Sequence, residues 1–163
     1  MTTDDTTRDR LIAAARGAAG NAHAPYSNFA VGAALLLTDG DILLGCNFEN
    51  ASYGLSLCAE TVALAGANSA GRLADVVAVA VIGGMMDGDG RAHGHDPIRP
   101  CGRCRQVINE AAQIGKRDII VWCAGAEGDA VERHLMSELL PHAFGPANLS
   151  IARLDPAGVV CGG

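Results

Sequence analysis

The stretch from Asp75 to Cys123 constrains the fold of this chain more than any other part of it. Asp75–Ile82 is a β-branched run with no polar alternation, the pattern of a strand buried on both faces. Cys101–Gln113 reads as a helix and Asp118–Cys123 as a second buried strand. Strand, helix, strand over this length is a βαβ unit, which predicts parallel neighbours and a right-handed crossover. The chain is therefore expected to be an α/β layered domain around a mixed sheet.

The flanking segments extend that unit. Thr6–Ala19 carries Leu11, Ile12, Ala15 and Ala19 at helical spacing and stops at Gly20-Asn21. Phe29–Leu37 is apolar and extended, Asp39-Gly40 is a hairpin signal, and Ile42–Asn50 is expected to return as a second strand. On such a strand Asn47 and Glu49 would share one face, with Cys46 and Phe48 on the other. Cys58–Ala70 is an alanine-rich helical stretch stopped by Gly71. Gly83–Pro100, with five glycines, two prolines, His93 and His95, reads as a long loop with both histidines solvated. A short helix is expected near Met136–Leu140. No repeat, low-complexity tract or linker divides the chain, so residues 1–163 are read as a single domain.

Composition narrows the function. The net charge of −6 disfavours nucleic-acid binding, which relies on Lys and Arg to neutralise phosphates. Met1–Arg10 has no apolar leader-like run, and Val76–Ile82 is far shorter than the roughly 20 residues of a membrane helix. A cytoplasmic location without membrane contact is expected, with reduced cysteines. Only six residues are aromatic, so those in loops stand out as candidates for contact with something flat.

Two cysteine motifs sit at helix starts: Cys58-Ala59-Glu60 and Pro100-Cys101-Gly102-Arg103-Cys104. Helix N-termini favour thiolates. Cys101 and Cys104 are one turn apart and can converge on one ion; Cys58 makes three ligands. A structural zinc site is usually closed by four, whereas a catalytic site keeps one position open. On a regular helix Glu60 would point roughly 200° from Cys58, which suits a carboxylate acting from another side more than a further ligand. Redox dithiols and zinc ribbons also use C-x-x-C. A redox dithiol needs no upstream Cys-x-Glu, and a ribbon normally brings a second C-x-x-C. Cys46, Cys123 and Cys161 are read as buried or terminal thiols.

Taken together, Pro25-Tyr26-Ser27-Asn28-Phe29, the run Gly45–Gly54 with its Asn47-Phe48-Glu49-Asn50 segment, Cys58-Ala59-Glu60, Pro100–Gln106 and Glu138–Pro146 resemble the small cytidine deaminases, in order, over most of the chain. The resemblance implies a three-layer α/β/α domain with about five strands, and Zn²⁺ held by Cys58, Cys101 and Cys104 with no organic cofactor. Glu60 would be the catalytic proton shuttle, as in zinc deaminases generally. It further implies that Asn47 and Glu49 hold ribose hydroxyls, that Phe29 packs on the pyrimidine and that backbone groups of Ala59 read the base edge. Tyr53 and Phe144 would complete a neighbouring subunit's pocket, which implies a homotetramer.

The expected reaction is hydrolysis of cytidine and 2′-deoxycytidine to the uracil nucleosides and ammonia, a step of pyrimidine salvage. Two departures from the family pattern stand out. Thr61 occupies a position where the family commonly has arginine, leaving Arg103 or Arg105 to offset the charge of three thiolates, and the 83–100 segment is long. Rival readings are a deaminase of another cytosine nucleoside such as blasticidin S, and a non-enzymatic zinc-stabilised interaction domain. The first fits both Cys-Gly-Arg-Cys-Arg-Gln and the missing arginine at Thr61, but not Asn47 and Glu49; the second leaves Glu60 without a role.

Overall fold

The computed structural model describes residues 5–149. Helix α1 (Asp5–Ala19) leads into β1 (Phe29–Leu37) and β2 (Ile42–Cys46), followed by α2 (Ala59–Ser69) and β3 (Val76–Met86). The short β4 (Ala92–His93), α3 (Gly102–Ile114), β5 (Ile120–Gly125), β6 (Val131–Leu135) and the one-turn α4 (Met136–Leu139) complete it. The sheet order is β2-β1-β3-β5-β6, with β4 paired to the end of β3. Among the described residues only strands β3 and β5 pair in parallel, so the sheet is mixed and the anticipated βαβ unit is present.

Alternation along the central strands divides the interior in two. Leu35, Val79, Val81, Val121 and Cys123 face α2 and α3, packing on Ala63, Leu64, Ile108 and Ala111. Leu36, Ala78, Ala80, Ile82 and Trp122 face α1, packing on Leu11, Ile12 and Ala15. Helices thus cover both faces, as strands without polar alternation require. This is the three-layer α/β/α arrangement, with one strand beyond the five expected.

Topology brings the two cysteine motifs together. β2 and β3 are each antiparallel to β1 and so run the same way. The helices that follow them, α2 and α3, pack against the same core and both begin near the same end of the sheet. Gly45 permits the closeness: a Cβ there would overlap the Ala59 carbonyl oxygen and sit 2.6 Å from the Ala63 amide nitrogen.

Three sequence expectations need correction. β2 ends at Cys46, so Asn47 and Glu49 lie beyond the strand and no strand face sets their directions. β3 continues four residues past Ile82, and Met85 and Met86 pair with His93 and Ala92, so part of the supposed loop is a hairpin. Its glycines look like punctuation in sequence but serve close approach: a Cβ on Gly84 would be 2.7 Å from the His93 carbonyl carbon. Edge strand β6 was not anticipated because Glu132-Arg133-His134 break any apolar alternation; charged residues on an edge discourage pairing with other chains.

Candidate active site

Cys58 and Cys101 are each the residue before a helix, with extended backbones (φ −74°, ψ 154° and φ −65°, ψ 167°), and neither side chain caps its helix. Serine, threonine, aspartate and asparagine are preferred at such positions, where they are worth about 1 kcal/mol over alanine. A cysteine there forgoes that capping and instead places sulfur over the unpaired N–H groups and positive dipole end. Cys104, in the first turn of α3, is fully buried. Because Cys58 lies outside α2, the 200° separation from Glu60 does not apply, and both side chains line one cavity.

The three sulfurs lie within 4.8 Å of one another, with Cys58 and Cys101 Sγ atoms 3.9 Å apart. Two sulfurs about 2.3 Å from a tetrahedral zinc would be about 3.8 Å apart, so the donor set fits that ion. A disulfide would need about 2.05 Å. The thiols compete for protons: the hydrogen bond with Cys104 brings Cys58 down to about 6, while the same contact, then burial, holds Cys104 protonated. A divalent cation would replace those protons. His93 and His95 lie apart from this cluster; His93 is ion-paired between Asp87 (2.8 Å) and Glu127 (2.9 Å) rather than merely solvated. Cys123 is buried and Cys46 half-buried, while Cys161 lies outside the described residues.

The cavity holds about 340 Å³ and is lined by Phe29, Asn47, Glu49, Cys58, Glu60 and Cys101, among others. Hollows of about 430 Å³ beside Arg10 and Arg117, and about 490 Å³ between α1 and β6, are larger. Neither contains a convergent set of metal donors, so chemistry and not volume selects the site. Glu60 is 3 % exposed, and burial raises its carboxyl above the ordinary range.

Asn47 Oδ1 accepts from the Val31 N–H (2.9 Å) and its Nδ2 donates to the Phe29 carbonyl (2.9 Å). Glu49 accepts from the Tyr26 and Ser27 amides (2.9 and 3.2 Å). The carboxyl is lowered first by a hydrogen bond from the Ser27 side chain. Ala59 is buried as the first residue of α2, its N–H among the donors without an intrahelical acceptor. Tyr53 and Phe144 are 72 % and 58 % exposed and do not line the cavity of their own chain; Tyr53 packs against Tyr26 with ring centroids 5.4 Å apart and planes tilted by 58°.

A profile for the cytidine and deoxycytidylate deaminase zinc-binding region matches residues 5–121. The chain belongs to this deaminase family. A cytidine deaminase of Halalkalibacterium halodurans is 46 % identical over 137 residues, covering 84 % of this chain and 93 % of the relative. The crystal structure of cytidine deaminase from Burkholderia pseudomallei superposes with a TM-score of 0.73 at 47 % identity, covering 85 % of this chain and 99 % of that one. That from Mycobacterium tuberculosis gives 0.65 at 37 %, covering 86 % and 99 %. The deaminase is therefore a zinc enzyme, and its three cysteines are positioned to hold the metal ion.

Several residues that line the deaminase's site were not singled out from the sequence, Val31, Ser56 and Leu57 among them. Ile98 and Arg99 line the cavity, and Arg99 pairs with Glu132 of β6 at 2.6 Å. Their adjacency to Pro100-Cys101 was an available signal. Arg105 turns away to the Pro100 and Leu139 carbonyls, while Arg103 reaches the Ser56 carbonyl (3.3 Å) and lowers Cys58 through its charge.

Proposed function

We propose that the protein hydrolyses cytidine and 2′-deoxycytidine to uridine and 2′-deoxyuridine with release of ammonia, in pyrimidine salvage. The observation that carries this reading is the buried Glu60 carboxyl in the same cavity as the three-cysteine cluster. Zinc, when bound by Cys58, Cys101 and Cys104, supplies a Lewis acid that makes attack by water feasible at neutral pH. Glu60 takes a proton from the attacking water and delivers it to N3 of the base. After attack at C4, Glu60 carries the proton of the new hydroxyl to the amine, which leaves as ammonia.

Phe29 packs on the pyrimidine and the Ala59 N–H meets the edge of the base. Asn47 and Glu49 hold the sugar hydroxyls. Their bonds to backbone groups orient both side chains without exhausting them: a carboxylate offers about four acceptor sites, and an amide keeps a second N–H and a second lone pair. Exposure of Tyr53 and Phe144 away from their own cavity supports a homotetramer in which each pocket draws on a second chain. The free thiols of the site favour the cytoplasm. No helix of the described residues is long and apolar enough to cross a membrane.

Ammonia release from cytidine, deoxycytidine, 5-methylcytidine, blasticidin S and free cytosine tests the substrate, with Glu60→Gln measured on the same preparation. The variant is expected to keep zinc and fold while losing at least the roughly 10² to 10⁴-fold typical of acid–base assistance. Near-normal turnover would remove Glu60 from the chemistry, loss of zinc would make it a ligand, and preference for blasticidin S would move the substrate assignment.

A further inference from the structure

The metal centre has a feature that its ligand set does not require. Thr61, the third residue of α2, places its hydroxyl oxygen 3.8 Å from the Cys104 sulfur. Cys104 is 0 % exposed, so water cannot solvate its charge. Three thiolates on a divalent cation leave a net negative charge, and a buried anion without donors is costly. The nearby guanidinium groups do not serve this sulfur: Arg105 donates to the Pro100 and Leu139 carbonyls, and Arg103 to the Ser56 carbonyl. A metal-bound thiolate has no proton to give, so the hydroxyl must be the donor in this pair.

We propose that Thr61 is a positioning residue of the metal centre, its hydroxyl donating to the Cys104 sulfur and so orienting that ligand and stabilising its charge. The geometry gives the role a direction. Thr61 follows Glu60 on α2, whereas Cys104 belongs to α3, so the bond ties the helix that carries the proton shuttle to the helix that carries Cys104 and begins just after Cys101. Partners behind metal ligands typically change metal affinity by about 10 to 100-fold when removed. The inference rests on the cluster as a zinc site and not on which nucleoside is the substrate.

The test is equilibrium competition for zinc between a chromophoric chelator and the full-length protein, comparing wild type, Thr61→Val, Thr61→Ala and Thr61→Ser. Valine keeps the branched shape but has no hydroxyl, and serine keeps the hydroxyl but not the methyl group. Thr61→Val and Thr61→Ala are expected to bind zinc about 10-fold more weakly, with Thr61→Ser close to wild type. Far-UV circular dichroism of the zinc-loaded proteins confirms the fold, and Thr61→Ala decides the matter if the valine variant does not fold. Wild-type zinc affinity without the hydroxyl would overturn the proposal. So would a serine variant as weak as the valine one, which would assign the effect to packing. Because zinc affinity is read without substrate, failure of the nucleoside assignment would leave this result intact.

Discussion

Replacing Asn47 by alanine should expose how the site is built into the fold. Where β2 ends, the Asn47 side chain takes over from the backbone: Oδ1 accepts from Val31 N–H and Nδ2 donates to the Phe29 carbonyl, each at 2.9 Å. Its own N–H donates to the Val31 carbonyl at 3.1 Å, so the edge of β1 remains paired past Cys46. Truncation removes two partners. An unsatisfied buried backbone group costs about 1–3 kcal/mol, giving about 2–6 kcal/mol for the pair. Both bonds are only partly buried and border the cavity, so water reaches the orphaned groups and the lower part of that range, about 2–3 kcal/mol, is expected. For a chain of this size that is a drop of about 4–12 °C in Tm. Thermal unfolding of zinc-saturated Asn47→Ala against wild type measures it. Asn47→Asp should not rescue, since its carboxylate meets the Phe29 carbonyl oxygen without a donor. A Tm within 1 °C of wild type would refute the reasoning and leave Asn47 with a sugar-binding role alone.

Gly45→Ala should push α2 outward, because its Cβ would overlap the Ala59 carbonyl and lie 2.6 Å from the Ala63 nitrogen. Overpacking costs about 1–3 kcal/mol, and turnover per bound zinc should fall, because α2 carries Glu60. Unchanged turnover and Tm would show that the helix can retreat freely. His93 is raised above its ordinary value first by its hydrogen bond to Asp87, then by that to Glu127. Its stabilising contribution is therefore full below the unfolded value of about 6.5 and fades as pH rises through the raised one. The gap in urea midpoint between wild type and His93→Gln should accordingly be wider near pH 6 than near pH 9; an equal gap would remove His93 from the pH response. For the proposed homotetramer, sedimentation should report four chains in an active sample, and Phe144→Ala should impair assembly or substrate binding; an active monomer would exclude shared pockets.

Much of the site was legible because its chemistry is local. Cys58-Ala59-Glu60 and Cys101-Gly102-Arg103-Cys104 declare themselves by residue type and by their place at helix starts, and N-terminal helix donors act over a single turn. The buried β-branched runs were equally plain, since a strand covered on both faces has no polar alternation to hide it. Helix bounds erred by a residue at Cys58 and Cys101, and at the first of these the error mattered. As the residue before α2, Cys58 has an extended backbone, so helical angles do not relate it to Glu60.

Residue type and local pattern therefore pointed to an α/β layered domain and to the three cysteines as metal donors, while the resemblance to the deaminases supplied the role proposed for Glu60. Tertiary structure decided what depends on partners distant in sequence. Gly83 and Gly84 read as loop until a neighbouring strand needs the space. The charged β6 is a strand only because β5 offers an unpaired edge. Asn47 faces the cavity although no strand directs it, because the Phe29 and Val31 backbone groups hold its amide. The contact of Thr61 with Cys104 spans 43 residues of chain, and nothing in Cys-Ala-Glu-Thr foretells it. Periodicity reports which face of an element is buried, but the partner on that face is set by how sheet order and helix packing bring distant segments together.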